Sequence, residues 1–428
     1  MSDEVKDMQQ YSKLGNLADI VMGQSPDSSS VNSDERGLPF LQGCAEFGKI
    51  SPEAKAYCMP PLRVSKAESI LVSVRAPVGT MNWGDQSYCI GRGLAAIKAK
   101  LGEADTKFLG YSLAHNVSFL HRRSQGSTFL AISANDLKIF PIPEFSPIKQ
   151  KRISEILQTI DQVIEKTEAL IEKYQQIKAG LMHDLFTRGV GADGQLRPPR
   201  EQAPELYHET PIGWIPKEWK IKPIGDLFTI QLGKMLSRAS KTGKCEYPYL
   251  GNKNVQWDRV YIEGLETMDF HPSEREKFKL IYGDLLVCEG GEVGRTAMWR
   301  EELDNCFYQK AIHRLRPIGN DVLPGYMLRF MLYAKNMGMF ENYTSQTSIA
   351  HLTQEKLSLV NMFLPDIVEQ EKLVERFDVI DQKVDHELIC LEKLKKQKSG
   401  LMHDLLTGKV PVKLDNAEEN QQQEAARV

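Results

Sequence analysis

The sequence has no apolar stretch near the roughly 18 residues that a membrane helix needs, so no helical membrane span and no membrane partner is expected. Its first residues, Met-Ser-Asp-Glu-Val-Lys-Asp, lack the basic and apolar regions of an export signal, so a cytoplasmic location is expected. Seven scattered cysteines (Cys44, Cys58, Cys89, Cys245, Cys288, Cys306 and Cys390) form no Cys-x-x-Cys pair, which predicts neither a disulfide framework nor a structural zinc site. The nine histidines show no His-x-x-x-His or His-Glu-x-x-His spacing, so no metal site is expected. A surplus of positive charge is missing too. With 54 Lys and Arg against 57 Asp and Glu, the net charge of −3 argues against wrapping nucleic acid by bulk charge and leaves only a local basic cleft. A DNA amino-methyltransferase would carry a glycine-rich adenosylmethionine loop and an Asn/Asp-Pro-Pro-aromatic tetrapeptide. Met59-Pro60-Pro61 and Arg197-Pro198-Pro199 lack both the amide and the aromatic, so the chain is expected to be non-catalytic on its own.

What the 428 residues do contain is a duplication. Gly180-Leu181-Met182-His183-Asp184-Leu185-Phe186-Thr187 returns 220 positions later as Gly400-Leu401-Met402-His403-Asp404-Leu405-Leu406-Thr407, with one difference. The same offset places Leu137 on Leu357, Gln150 on Gln370, Ile160 on Ile380 and Asp161 on Asp381. Further upstream the register drifts, yet Gly15-x-Leu17-x-x-Ile20-x-x-Gly23 still matches Gly225-x-Leu227-x-x-Ile230-x-x-Gly233, and Ile70-Leu71-Val72 matches Leu285-Leu286-Val287.

Each half mixes short apolar runs with helical stretches, which predicts an α+β (mixed α/β) domain. The expected organisation is a globular domain over 1–146, a helix over 147–187 and a Pro/Gly-rich linker over 188–216. A second domain over 217–366, a second helix over 367–408 and a disordered polar tail over 409–428 complete it. Ile153, Leu157, Ile160, Ile164, Thr167, Ile171, Tyr174, Lys178, Leu181 and Leu185 alternate in steps of four and three, the seam of a coiled coil. Leu373, Phe377, Ile380, Val384, Glu387, Leu391, Leu394, Lys398, Leu401 and Leu405 repeat it. The two seams are expected to pair antiparallel within one chain as a rod of about 50 Å. The other reading of the same seam is a dimer of two chains.

Several fragments resemble catalytic motifs. Pro26-Asp27 with Glu53-Ala54-Lys55 formally matches a metal-dependent nuclease pattern, but Glu53 sits in a polar stretch after Pro52 and the second half has no counterpart. Leu285-Leu286-Val287-Cys288 runs into Gly290-Gly291-Glu292-Val293-Gly294, yet Glu289 replaces the first glycine of a phosphate loop and no Gly-Lys-Ser/Thr follows, so a tight turn is expected. His183-Asp184 and His403-Asp404 close coiled-coil helices, where packing, capping or a partner contact is the stronger reading.

What remains are amide-rich and basic clusters at corresponding places. In the first half these are Gln24, Ser25, Gln42, Arg75, Arg92, Arg122, Arg123, Ser124, Gln125, Ser127 and Thr128. In the second they are Lys234, Asn252, Lys253, Asn254, Arg295, Gln309, Lys310, Ser345, Gln346, Thr347 and Ser348. Arg, Lys, Asn and Gln can read base edges in the major groove, and Ser and Thr are common phosphate ligands. Any one cluster alone is more often a solvated loop; recurrence in both halves raises the set above that.

Two diverged domains, each followed by a long helix ending in Gly-Leu-Met-His-Asp-Leu, resemble the specificity subunit of a type I restriction-modification enzyme. The likeness runs from about Tyr11 to Val410 and includes the Gly-Trp-Ile-Pro-x-x-Trp run at 213–219 and Gln125-Gly126-Ser127-Thr128 with Pro141-Ile142-Pro143 beyond it. The first half lacks the Trp-Ile-Pro opening, and the second ends Leu364-Pro365 where the first has Pro-Ile-Pro. The resemblance implies two target recognition domains, each binding one part of a split sequence in double-stranded DNA. It implies helices that act as spacer and docking surface for two methyltransferase subunits, and a motor-nuclease subunit joining them. Adenosylmethionine, Mg²⁺ and ATP would be used by those partners, with no cofactor bound here. Two rivals stand beside it: a solitary nuclease using Asp27, Glu53 and Lys55, and a coiled-coil scaffold that does not touch DNA.

Overall fold

A computed structural model describes residues 10–124, 131–343 and 351–414. The chain divides into two units, Met1–Ala169 with Ile389–Val428, and Leu170–Leu388. The first is built on an antiparallel sheet ordered Ala18–Met22, Leu94–Ala99, Ser69–Ser73, Met81–Gly84. Ser69–Ser73 is buried along its length. Alternation along that strand sends Ile70 and Val72 into one apolar cluster and Leu71 into another, so the sheet separates two layers. The first layer holds the helix Thr106–His115, whose start is fixed by the Asp105 carboxylate accepting from the Phe108 N–H at 2.7 Å. Phe108, Leu109 and Leu113 fall on one helical face and are fully buried.

The long helix Pro147–Thr187 begins against this layer. Gln150, 2% exposed, accepts from the Asp105 N–H at 3.0 Å and donates to the Phe145 carbonyl at 2.8 Å, so its buried amide is satisfied. The second unit repeats the design with Phe228–Leu232, Ile312–Pro317, Leu285–Cys288 and Thr296–Met298 in the same order. Leu285 and Val287 face one cluster, Leu286 and Cys288 the other. Pro324 opens the helix Pro324–Asn336, where its missing N–H is no loss. Gln370 takes the part of Gln150, accepting from the Leu323 N–H at 2.9 Å and donating to the Asp321 and Pro365 carbonyls.

Within each unit, its parts of Pro147–Thr187 and of the second long helix, Ile367–Leu406, lie side by side and antiparallel. In the first unit Asp161 pairs with Lys398 at 2.6 Å and Glu168 with Lys395 at 3.3 Å; in the second Asp381 pairs with Lys178. The lysines that interrupt the apolar seam thus meet aspartates that are themselves repeat equivalents, and the seam is occupied within one chain rather than by a second copy. Ile171, Ile380 and Leu391 are buried along it, while Ile160, Ile164 and Val384 are half-buried. The first seam positions differ from a simple coiled coil: Ile153 and Leu157 belong to the first globular core, Leu373 and Phe377 to the second.

The duplicated signature is a docking end. Each long helix starts on one unit and finishes inside the core of the other. Leu405 and Leu406 close the first core, and Met182, Leu185 and Phe186 sit in the second. Phe186 is stacked on Tyr333 at 4.8 Å and on Phe377 at 5.9 Å. Asp184 is engaged by Arg188 at 3.2 Å, and the His403 ring lies 5.9 Å from that of His115, so both His-Asp pairs belong to these docked ends.

Two further points depart from the sequence expectation. The 188–216 stretch is not a free linker, because Val190 and Ile215 are in the second core and 207–216 contains the hairpin Tyr207–Thr210 with Gly213–Pro216. The tail begins folded as well: the Val410 N–H donates to the Asp404 carbonyl at 3.1 Å and Val412 packs on the first core, while 415–428 lie outside the described residues.

Candidate nucleic-acid interface

In the first unit three loops meet at one surface. The Gly23 N–H donates to the Leu94 carbonyl, Gln24 to Ile90, Gly91 to Leu41 and Gly93 to Gln42, all between 2.7 and 3.2 Å. Close approach requires glycine here: a Cβ on Gly23 would stand 2.1 Å from the Gly91 carbonyl oxygen, and one on Gly91 2.6 Å from Gln42 Oε1. Gln42 Nε2 donates to Ser25 Oγ at 3.0 Å, which ties the two amide-bearing loops together. Arg92 projects from between Gly91 and Gly93 and is exposed, as are Gln24 and Gln42. The Val74 N–H donates to the Gly93 carbonyl at 2.9 Å, which brings Arg75, also exposed, alongside. Among the described residues no carboxylate pairs with Arg75 or Arg92. Their charge is available to an external anion.

The short helix Ser118–Arg123 joins this surface through His121 Nε2, 3.0 Å from the Val78 carbonyl. Arg122 donates to Ser118 Oγ at 3.2 Å, Arg123 covers the Phe119 ring at 4.4 Å, and Ser124 Oγ donates to the His121 carbonyl. Both arginines remain exposed at the helix C-terminus. Gln125, Ser127 and Thr128 lie outside the described residues. Sequence reasoning missed Arg63, an exposed arginine whose carbonyl accepts from the Ile90 N–H at 2.8 Å, next to Arg92. Its only sequence signal was a cation after Pro60-Pro61-Leu62.

The second unit assembles the equivalent loops with a different outcome. The Lys234 N–H donates to the Tyr308 carbonyl, Lys310 to Lys234, and Gln309 to Leu250, so 233–234, 250–254 and 309–310 converge. Three of the expected readers are engaged internally. Lys234 Nζ is held by Glu274 at 2.6 Å and the Asp269 carbonyl at 2.7 Å. Asn254, 5% exposed, accepts from the Gly251 N–H and donates to the Tyr261 carbonyl. The Arg295 guanidinium donates to the Asn252 carbonyl at 2.8 Å and lies 3.7 Å from Glu292. These three are framework, because releasing any of them would strand a buried polar partner. Asn252 donates to the Gly290 carbonyl at 3.0 Å while its Oδ1 has no partner, Lys253 lies 3.7 Å from Glu266, and Lys310 is exposed and unpaired among the described residues. Gln309 is half-buried beside Gly251, and Ser345, Gln346, Thr347 and Ser348 lie outside the described residues.

The segment after 344–350 is pinned by His313, 1% exposed, whose Nε2 is 2.9 Å from the Leu352 carbonyl. Burial lowers the His313 pKa below its usual 6.5, against smaller raising effects of the Leu352 carbonyl and Glu289. The unfolded chain therefore takes up the proton first as pH falls, so this contribution is complete above about pH 6.5 and is lost below it. Melting followed from pH 5 to 8 should show the second unit weakening on the acid side. His313→Gln, which keeps a donor and removes the titration, should flatten that slope; an unchanged slope would count against the assignment.

Among the described residues no group of three or more His, Cys, Asp or Glu is gathered as a metal would need, Asp27 and Glu53 included. No described helix is long and apolar enough to cross a membrane.

The duplicated loops and helices coincide with a known pattern. Residues 6–176 and 216–396 each match the Type I restriction modification DNA specificity domain. The chain belongs to that family. A putative type I restriction enzyme MjaX specificity subunit of Methanocaldococcus jannaschii is 42% identical over 168 residues, 39% of this chain and 40% of the relative. The MjaVIII specificity subunit of the same organism is 27% identical over 326 residues, 72% of this chain and 71% of that one. The chain thus spans well under two thirds of the length of the first relative. A type I restriction-modification S subunit from M. genitalium has the same fold, with a TM-score of 0.58 at 16% identity, covering 94% of this chain and 98% of that one. A chain from a structure on complex assembly and conformational transition of the type I R-M system gives 0.57 at 15%, covering 96% and 100%.

Proposed function

We propose that this specificity-domain protein is the DNA-reading subunit of a type I restriction-modification complex. The first unit reads one part of a bipartite, asymmetric target in double-stranded DNA and the second reads the other. The long helices dock two methyltransferase subunits and set the spacer, and motor-nuclease subunits join to restrict. The chain itself is non-catalytic; adenosylmethionine, Mg²⁺ and ATP act on those partners.

The observation that carries this reading is one duplicated scaffold presenting two unlike polar surfaces at equivalent loops. Gln24, Gln42, Arg75 and Arg92 stand on one, Asn252, Gln309 and Lys310 on the other. Surfaces so different cannot select the same bases, because donors and acceptors must match the groove edge they meet. A near-neutral chain fits a complex in which partners supply much of the phosphate contact.

Methylation mapping of a genome modified by the complex tests it. Exchanging residues 1–146 for those of a relative should change one half of the split motif, and lengthening a long helix should change only the gap. A change in both halves on exchange would show that one domain does not read one half-site.

A further inference from the structure

The loop that follows Gly233 in the second unit has a counterpart after Gly23 in the first, and the two differ in chemistry. The Gly23 N–H donates to the Leu94 carbonyl and the Gly233 N–H to that of Ile312; the next residues, Gln24 and Lys234, donate to Ile90 and Tyr308. The chain then continues Ser25-Pro26-Asp27 in one unit and Met235-Leu236-Ser237 in the other. Ser25 is tied to Gln42 at 3.0 Å, whereas Met235 is 60% exposed and Leu236 42%. Neither of these two side chains belongs to an apolar cluster of its unit.

Their exposure is built into the loop. Before the pair, Lys234 is held by Glu274 and by the Asp269 carbonyl. After it, Ser240, 3% exposed, accepts from the Ser237 N–H at 2.9 Å and donates back to the Ser237 carbonyl at 2.9 Å. The fully buried Asp269 carboxylate then gathers the Thr242 N–H at 2.6 Å, the Thr242 hydroxyl at 2.7 Å, the Gly243 N–H at 3.1 Å and the Cys245 N–H at 2.6 Å. A loop pinned at both ends by satisfied polar groups keeps its shape without help from Met235 or Leu236. The pair is carried outward on a frame that does not depend on it.

The surroundings say what covers it. Lys310 lies alongside, since its N–H donates to the Lys234 carbonyl at 2.9 Å. Arg238 and Lys244, in the same loop, are exposed, and no carboxylate pairs with either among the described residues. The corresponding stretch of the first unit, 24–34, has no lysine or arginine and contains Asp27 and Asp34. An apolar pair flanked by free cations fits a polyanion with apolar groups on its edge. Duplex DNA offers such groups as the 5-methyl groups of thymine, which line the major groove between the phosphates.

We propose that Met235 and Leu236 determine specificity for thymine in the half-site read by the second unit, packing on its 5-methyl group while Arg238, Lys244 and Lys310 meet the adjoining phosphates. The first unit, with Ser25 and Pro26 at the same place, has no such apolar contact. The inference rests on the proposed function and adds to it one base and the side chains that select it.

The test uses the assembled methyltransferase complex and a duplex carrying its mapped motif. In the half that stays unchanged when residues 1–146 are exchanged, each thymine is replaced in turn by uracil, which pairs as thymine does but lacks the methyl group. The wild-type complex should lose about fourfold in affinity at one or more of these positions, the effect of burying one methyl group. Met235→Ser/Leu236→Ser should bind the thymine duplex more weakly, bind the uracil duplex no worse, and melt as the wild type does. Should that variant fail to fold, the uracil series on the wild-type complex decides alone. A half-site without thymine on either strand, a uracil series without effect, or a folded variant that still distinguishes thymine from uracil overturns the proposal. So does a variant that keeps its DNA affinity and loses only the methyltransferase subunit. A wild-type complex without sequence preference would defeat the proposed function as well, whereas selective binding that ignores the methyl groups defeats this inference alone.

Discussion

Glu369→Ala should cost the second unit about 3–5 kcal/mol, the usual effect of removing one partner from a buried ion pair. The carboxylate is 6% exposed and serves four donors. Arg197 gives it two bonds, at 2.5 and 2.9 Å, the Val190 N–H a third at 2.7 Å and Trp219 Nε1 a fourth at 3.1 Å. Alanine leaves an indole N–H and a backbone N–H without their acceptor, and the Arg197 guanidinium with only the exposed Glu218 carboxylate and the Arg188 carbonyl. Calorimetry should find the melting of that unit lowered by about 10 °C or more. Glu218, which also bonds Arg197 but is 77% exposed, should give less than about 1 kcal/mol when replaced by alanine. Equal effects from the two substitutions would show that burial does not decide the difference.

Arg75→Ala/Arg92→Ala is expected to weaken DNA binding by the assembled complex by at least tenfold, since each guanidinium contact with a base edge or phosphate contributes about 1–3 kcal/mol. Neither side chain is paired with a carboxylate among the described residues, so melting should not change. Titrations at several salt concentrations divide the possibilities. If both arginines neutralise phosphates, the slope of log affinity on log salt should fall by about one per residue without a change in motif. If either reads a base, the methylated motif should relax at one position of one half. Unchanged affinity, slope and motif together would remove this surface from the DNA interface.

The repeat, the antiparallel helices and the α+β class were legible in sequence because they rest on periodicity and identity, which need no tertiary knowledge. Gln150 and Gln370 were visible as a match, but their role in tying a long helix to the globular part depends on which main-chain groups lie opposite. The 188–216 stretch read as a linker because its composition is Pro- and Gly-rich; the deciding feature, Glu369 waiting for Arg197, lies in another part of the chain. Lys234, Arg295 and Asn254 had the chemistry of readers and are framework, since the carboxylates and carbonyls that engage them come from distant residues. Arg63 carried only the weak sign of a cation after Pro60-Pro61-Leu62, because it is the bond from the Ile90 N–H to its carbonyl that puts it beside Arg92.

The crossed helix ends bear on how such a protein can change by recombination. A gene segment encoding a foreign globular domain brings new loops, and with them a new specificity, but it must also accept a helix terminus encoded elsewhere. Phe186, enclosed by Tyr326, Phe330, Tyr333 and Phe377, is where a graft into the second unit would be accepted or refused. In the first unit Leu405 and Leu406 make the corresponding demand. Lineages can therefore shuffle what is recognised freely only while these sockets stay interchangeable, which gives a reason for the near-identity of the two helix ends in a chain whose halves otherwise diverge.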